Sequence, residues 1–154
     1  MSAGRAFVTT TEAETRALGA QLGRAAQPGL VVLLRGDLGA GKTTLVQGFA
    51  GALPAHGPVR VKSPTYALCH AYPTTPRTWH ADLYRLARVA EVEALGVLDA
   101  VEPADVLVVE WAERAQGMFP DALVVDLAVT GEDRRDVTMM ATGPVSAEVL
   151  ARIQ

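Results

Sequence analysis

The chain has 154 residues, 49% of them hydrophobic and 20% charged, the balance of a soluble globular protein with enough apolar material for one domain and one core. A net charge of −3 leaves no broad basic surface of the kind that holds nucleic acid by counterion release, so DNA binding is excluded and any role on RNA is expected to be indirect. Cys69 is the only cysteine, which rules out an intramolecular disulfide and a thiolate metal cage.

Met1 to Thr15 has no apolar core of signal-peptide length, and no apolar run approaches the ~20 residues of a membrane span. A cytoplasmic protein with no membrane attachment is expected. Arg5 to Val8 reads as a short strand closed by threonines, and Thr11 with Glu14 three residues on matches a capping box. The spacing then predicts a helix over Glu12 to Ala26, with Leu18 and Leu22 on one face, stopped by Pro28-Gly29.

Leu30 to Leu34 is an unbroken apolar run, the pattern of a central strand covered on both faces. It leads into Gly36-Asp37-Leu38-Gly39-Ala40-Gly41-Lys42-Thr43 and then Thr44-Leu45-Val46, which fits G-x-x-x-x-G-K-[ST] between a strand and a helix. A triphosphate needs many donors close to its oxygens, and backbone N–H groups are the smallest a chain can supply. Glycines let those groups converge into a concave nest at the positive end of the next helix. The stretch is read as a phosphate-binding loop, with Asp37 to Thr44 around the phosphates, Lys42 reaching the β- and γ-phosphates and the Thr43 hydroxyl on Mg²⁺.

The following helix is expected to end near Gly51, before a loop marked by Pro54, Gly57 and Pro58. After Ser63-Pro64-Thr65, Tyr66 to Tyr72 and Thr78 to Leu83 read as two strands of an antiparallel hairpin, in which His80 and Asp82 share one face. Arg88 to Gly96 has helical spacing, and Val97 to Glu102 adds a short helix before Pro103. Val106 to Val109 is another apolar run, ending in Glu110-Trp111. Ala122 to Val129 and Val137 to Ala141 read as strands joined by a polar turn, and Ser146 to Ile153 as a final helix. This order predicts a single α/β domain, a P-loop NTPase-like three-layer sandwich whose mixed sheet carries antiparallel strands.

Hydrolysis needs a metal and a group that orients water, and such a partner usually stands at the end of a buried strand beside the loop. Glu110 has that position, where P-loop proteins generally carry Asp; the alternative is a strand-end carboxylate paired with Arg114. Asp82 is the second candidate, as a magnesium-shell ligand, an acceptor for the attacking water, or a structural partner of Arg85. Thr65 occupies a place where nucleotide switches carry a sensing hydroxyl, or is a turn residue set by Pro64. Trp111 either covers the nucleotide pocket or fills the core. The chain contains no Asn, so the N-K-x-D element for guanine is missing and adenine, hence ATP, is favoured.

Four blocks taken together, Gly36 to Thr44, Lys62-Ser63-Pro64-Thr65-Tyr66, His80-Ala81-Asp82-Leu83-Tyr84-Arg85-Leu86 and Val108-Val109-Glu110-Trp111, closely resemble the bacterial TsaE (YjeE) family. The resemblance implies a small Mg²⁺-dependent ATPase of tRNA threonylcarbamoyladenosine biosynthesis, working with TsaB and TsaD and meeting tRNA only through that complex. TsaD transfers the threonylcarbamoyl group to the adenosine beside the anticodon, and ATP hydrolysis by this subunit resets the complex. By the same resemblance Lys42 is the phosphate-binding lysine, Thr43 and Glu110 are magnesium-associated, Asp82 is the essential carboxylate, Thr65 the switch-like threonine and Trp111 a tryptophan near the nucleotide. Thr10 to Glu12, with Thr11, and the late turn with Arg134 resemble segments near the base or ribose. Trp79 departs from the family, standing where a tyrosine is common.

Two other readings use the same loop: a small-molecule kinase, and a nucleotide-dependent binding module without catalysis of its own. A kinase would also need an acceptor site and an arginine-bearing lid, for which the short connecting segments leave little room.

Overall fold

The computed structural model describes residues 3–64, 68–96, 98–115 and 117–154. The first strand, β1 (Ala3–Thr9), leads into α1 (Glu12–Ala25). Thr11 caps that helix by accepting from the Glu14 N–H at 3.0 Å. The return bond of the expected box falls one residue earlier: the Glu14 carboxylate accepts from the Thr10 N–H at 2.7 Å and the Thr10 hydroxyl at 2.8 Å.

The apolar run becomes β2 (Val31–Arg35), and α2 (Lys42–Gly51) begins directly after the glycine loop. Leu45, Val46 and Phe49 recur on one face of α2 and are almost wholly buried. Each such side chain contributes about 1.5–3 kcal/mol by leaving water. α1 and α2 approach through glycine rather than through bulk. A Cβ on Gly48 would stand 1.9 Å from the Arg16 carbonyl oxygen, and one on Gly19 would stand 2.1 Å from that of Leu45.

The hairpin is β3 (Cys69–Tyr72) and β4 (Thr78–Asp82), antiparallel as expected, although β3 begins at Cys69, with Thr65, Tyr66 and Ala67 outside the described residues. After α3 (Val89–Ala94), the expected short helix is absent from residues 98–102; Val97 itself lies outside the described residues. Single turns replace it, with Asp99 N–H bonded to Gly96 O at 3.1 Å and Val101 N–H to Leu98 O at 3.2 Å. A segment of that length ahead of Pro103 cannot recover the cost of nucleating an α-helix. β5 (Val106–Glu110) is buried throughout and is followed by a 3₁₀ turn (Ala112–Ala115). β6 (Leu123–Val129) and β7 (Arg135–Ala141) form the late hairpin. The last helix, α4, runs Pro144–Ala151 and not from Ser146, because Pro144 supplies a preset first turn.

All seven strands join one sheet in the order β1-β7-β6-β2-β5-β4-β3. β2 pairs in parallel with β5 and β6, and β5 with β4, whereas β1–β7, β6–β7 and β3–β4 are antiparallel. Leu18, Leu22 and Phe49 join the inner side chains of β2, β5, β6 and β7 on one face, with Val149 and Leu150 of α4. On the other face Ala81, Leu83, Leu107 and Val109 pack with Val92 of α3 and Ala112 and Ala115 of the 3₁₀ turn. The two buried faces make the mixed three-layer α/β arrangement that the sequence predicts. Among the described residues no helix is long and apolar enough to cross a membrane.

Candidate functional site

The site lies where the carboxyl ends of the parallel strands β2, β4 and β5 meet, the usual location for ligands on such sheets. The loop leaving β2 is forced tight by its glycines. Gly36 has φ 152°, and a Cβ there would stand 2.6 Å from the Leu127 carbonyl oxygen of β6. Gly41, at φ 103°, is the cap from which α2 starts, a left-handed geometry that a side chain would strain. The helix therefore presents its free N–H groups to the loop's concave side.

Lys42 is 5% exposed, and its ammonium donates to the carbonyls of Gly36 at 2.6 Å and Asp37 at 2.9 Å. The Trp111 ring lies over it, with Nζ 4.3 Å from the ring centroid. Burial pushes the Lys42 ammonium below the usual lysine value, while Glu110, Glu113, Asp82 and Asp37 oppose that shift. Trp111 reaches this place from a backbone at φ 57°, a left-handed conformation that costs a bulky residue about 1–3 kcal/mol. Tyr84 packs against the same ring, with centroids 4.9 Å apart.

Thr43, the next residue of α2, donates its hydroxyl toward Glu110, 3.2 Å from Oε1 and 3.3 Å from Oε2. Glu110 and Asp82 are register partners at the ends of β5 and β4, so the parallel pairing itself sets the two carboxylates side by side. Both are nearly buried, which requires that hydrogen bonds replace lost water. Asp82 accepts from the Ser63 hydroxyl through Oδ2 and from the Tyr84 N–H through Oδ1, the latter at 2.9 Å. Glu110 bonds through Oε2 to Nε2 of His80, 2.6 Å away, which is fully buried and meets the Tyr72 hydroxyl at 2.7 Å through Nδ1. The expected face shared by His80 and Asp82 thus exists, and it faces Glu110 and Ser63.

A cleft of about 430 Å³ opens over these groups, lined by Leu38, Gly39, Gly41, Lys42, Thr43, Thr44, Ser63, Asp82, Tyr84, Glu110 and Trp111. A second cleft, about 290 Å³, shares Gly39, Gly41 and Thr44 and continues past the loop to Thr11, Glu12, Thr15, Asp133 and Arg135. Thr11 therefore joins the region around the loop. Arg134 does not: its guanidinium pairs with Asp136 at 3.2 Å on the exposed turn. The neighbouring Arg135 points inward instead and donates to the carbonyls of Ala40 at 3.1 Å and Gly39 at 3.3 Å. Asp37 contributes its carbonyl to Lys42, Ala40 is buried within the loop and Leu38 projects from its tip at 83% exposure. Thr65 lies outside the described residues.

Ser63, Tyr84 and Arg135 are among the cleft residues to which the sequence reading gave no role. Ser63 and Tyr84 fall inside motif blocks, where the neighbouring Thr65 and Asp82 drew the chemical reading. Arg135 is distinguishable from Arg134 only through the register of β7, which a polar turn conceals.

A strand, glycine loop and Lys-Thr helix start, set beside two strand-end carboxylates on a mixed sheet, define a P-loop NTPase-like α/β protein. Over residues 9–137 the chain matches the family described as threonylcarbamoyl adenosine biosynthesis protein TsaE, and it belongs to that family. It is 36% identical over 138 residues to the tRNA threonylcarbamoyladenosine biosynthesis protein TsaE of Bacillus subtilis, covering 88% of this chain and 84% of that one. With the protein of the same description from Haemophilus influenzae it shares 35% identity over 123 residues, 79% of this chain and 77% of its relative. The crystal structure of Bacillus subtilis YdiB superposes with a TM-score of 0.80 at 27% identity, covering 99% of this chain and 95% of that chain.

Proposed function

We propose that this chain binds and hydrolyses Mg²⁺-ATP as the ATPase subunit of tRNA threonylcarbamoyladenosine biosynthesis in the cytoplasm, acting with TsaB and TsaD and meeting tRNA only through them. The observation that carries the proposal is the convergence of Lys42, Thr43, Asp82 and Glu110 on one cleft at a glycine-loop helix start.

In this reading the amides of Gly39 to Thr44 hold the β- and γ-phosphates, and Lys42 exchanges its two loop carbonyls for phosphate oxygens. Thr43 and Glu110 are the protein oxygens for the metal. Their mutual approach suits Mg²⁺, which takes one or two protein oxygens and completes its shell with phosphates and water. Among the described residues no group of three His, Cys, Asp or Glu could hold a metal, so a protein-only cage is not the alternative. Once bound, Mg²⁺ supplies charge neutralisation across the phosphates. Asp82, held by Ser63 and the Tyr84 N–H, is the acceptor that orients the attacking water or an outer ligand of the metal. Trp111 shields the Lys42 ammonium from bulk water. The second cleft, with Thr11 and Arg135, takes ribose and adenine.

The test is ATP turnover with and without TsaB and TsaD, in the absence of an added phosphate acceptor. Slow basal turnover that rises with the partners is expected, and Lys42→Ala or Glu110→Ala lowers it by roughly 100-fold or more. Nucleotide binding without hydrolysis under both conditions refutes the ATPase. Turnover only with a small-molecule acceptor makes the chain a kinase.

A further inference from the structure

Glu110 is nearly buried, and its two recorded side-chain partners differ in kind. Thr43 faces the cleft, and its hydroxyl is the group a metal would take. His80 lies behind the carboxylate at 0% exposure and is not among the residues lining the two clefts at the loop. Its own second nitrogen is fixed by Tyr72, whose hydroxyl also meets Nε2 of His70 at 2.9 Å and the Lys62 carbonyl at 3.3 Å.

The order of donors follows from what each group can do. A carboxylate serving a metal is ionised and can only accept, so His80 Nε2 carries the hydrogen toward Glu110. Nδ1 meets the Tyr72 hydroxyl at 2.7 Å, a shorter approach than the 3.3 Å from that hydroxyl to the Lys62 carbonyl. Burial pushes the Tyr72 phenol up to about 12, which keeps its hydrogen in place, with Glu110 also raising it and the Lys62 carbonyl opposing. Nε2 of His70 completes the line, 2.9 Å from the phenol oxygen. Three adjacent strands supply the row, β3 with His70 and Tyr72, β4 with His80 and β5 with Glu110, and His80 is the register partner of both His70 and Val108. The ring contacts among His70, Tyr72 and His80, with centroids 5.1 to 5.8 Å apart, limit rotation of each.

We infer that His80, oriented by Tyr72, is a positioning residue that fixes the Glu110 carboxylate for the metal bound beside Thr43. This rests on the Mg²⁺-nucleotide reading above and assigns its specificity to a residue that never touches nucleotide or metal. The physical warrant is general: a ligating carboxylate is itself hydrogen-bonded from behind, and removal of such a partner typically weakens metal binding about 10–100-fold. A buried histidine that only fills space would have no such effect. When Thr43 turns to the metal, the His80 N–H is the bond that keeps Glu110 from rotating.

The experiment measures Mn²⁺ binding by electron paramagnetic resonance in the presence of a non-hydrolysable ATP analogue, with metal-free binding of the same analogue and thermal unfolding run on each protein. His80→Leu keeps the volume and removes the donor; Mn²⁺ binding should weaken about 10–100-fold while metal-free analogue binding stays as in the parent. His80→Gln, whose amide reaches toward Glu110, should recover most of the loss. Tyr72→Phe, which deletes one hydroxyl, should shift Mn²⁺ affinity the same way by less, and it decides the matter if His80→Leu does not fold. Unchanged Mn²⁺ affinity in His80→Leu and Tyr72→Phe, or equal losses in the Leu and Gln variants, overturns the inference and leaves the Mg²⁺-nucleotide reading intact. Failure of the parent protein to bind Mn²⁺ with the analogue overturns that reading, and the inference with it.

Discussion

Replacing Gly48 by alanine should lower stability even though alanine is the better helix former. The substitution gains about 0.5–1 kcal/mol from reduced backbone entropy in the unfolded chain. Against that, its Cβ would stand 1.9 Å from the Arg16 carbonyl oxygen and 3.0 Å from the Ala20 nitrogen. Both are backbone atoms of α1, so no side chain can swing away. Restoring an ordinary contact of about 3.5 Å requires α1 and α2 to separate by roughly 1.5 Å. That separation opens the layer holding Leu18, Leu22, Leu45 and Phe49. Overpacking of this kind costs about 1–3 kcal/mol and sometimes more, so after the entropy gain the net loss is about 1 kcal/mol. For a chain of this size the midpoint should fall by roughly 2–4 °C. Gly51→Ala is the matched control, since a Cβ there meets nothing within 4 Å and φ is ordinary for a helix. Calorimetry or circular dichroism should show the two variants shifting in opposite directions. A Gly48→Ala midpoint at or above that of the parent would refute the close-approach argument.

Two further outcomes are expected. Asp82→Ala should lower hydrolysis by roughly 100- to 10,000-fold with analogue binding retained; normal turnover would remove Asp82 from the chemistry. Asp121 ties α4 to the loop before β6, accepting from Val145 N–H at 2.8 Å, Ser146 N–H at 3.1 Å and the Ser146 hydroxyl at 2.7 Å. Burial raises its carboxyl, but the bonds from Ser146 and Val145 together hold it below the usual carboxylate range. A depressed folded value stabilises the protein above the unfolded value and ceases to do so as pH falls through the folded one. Asp121→Ala should therefore cost about 1 kcal/mol in urea unfolding at neutral pH, a deficit that shrinks in acid. A deficit constant down to acid pH would contradict the assignment.

The strand–glycine loop–helix unit was legible because its residues are constrained locally: glycines where the chain must curl, Lys-Thr where a helix must start, and an apolar strand before them. Glu110 and Asp82 were legible as carboxylates at strand ends. Their adjacency was not, since it depends on the β4–β5 register. The same limit hid Arg135, which differs from Arg134 only in which side of the late hairpin it faces. Gly19, Gly23 and Gly48 drew no reading, because a sequence does not show what approaches them. His80 was placed on the correct face by strand alternation, but its partners Tyr72 and Glu110 come from two other strands. The helix expected from Val97 failed for a local reason, too few residues before a proline, and Pro144 as the start of α4 was a signal present but unused.

The strand order bears on how the chain acquires its shape during synthesis. Among the described residues β2, which leads into the loop, has no pairing partner that begins before residue 106, and β1 pairs only with β7 at 135–141. A growing chain that has made both early strands and both early helices still has no sheet edge to lay them on. Closing such long intervals costs entropy that no local contact returns. The loop's concave form also leans on Leu127 against Gly36 and on Arg135 against Gly39 and Ala40, contacts separated by some ninety residues. The glycine-loop segment is thus made well before the strands and contacts that complete it.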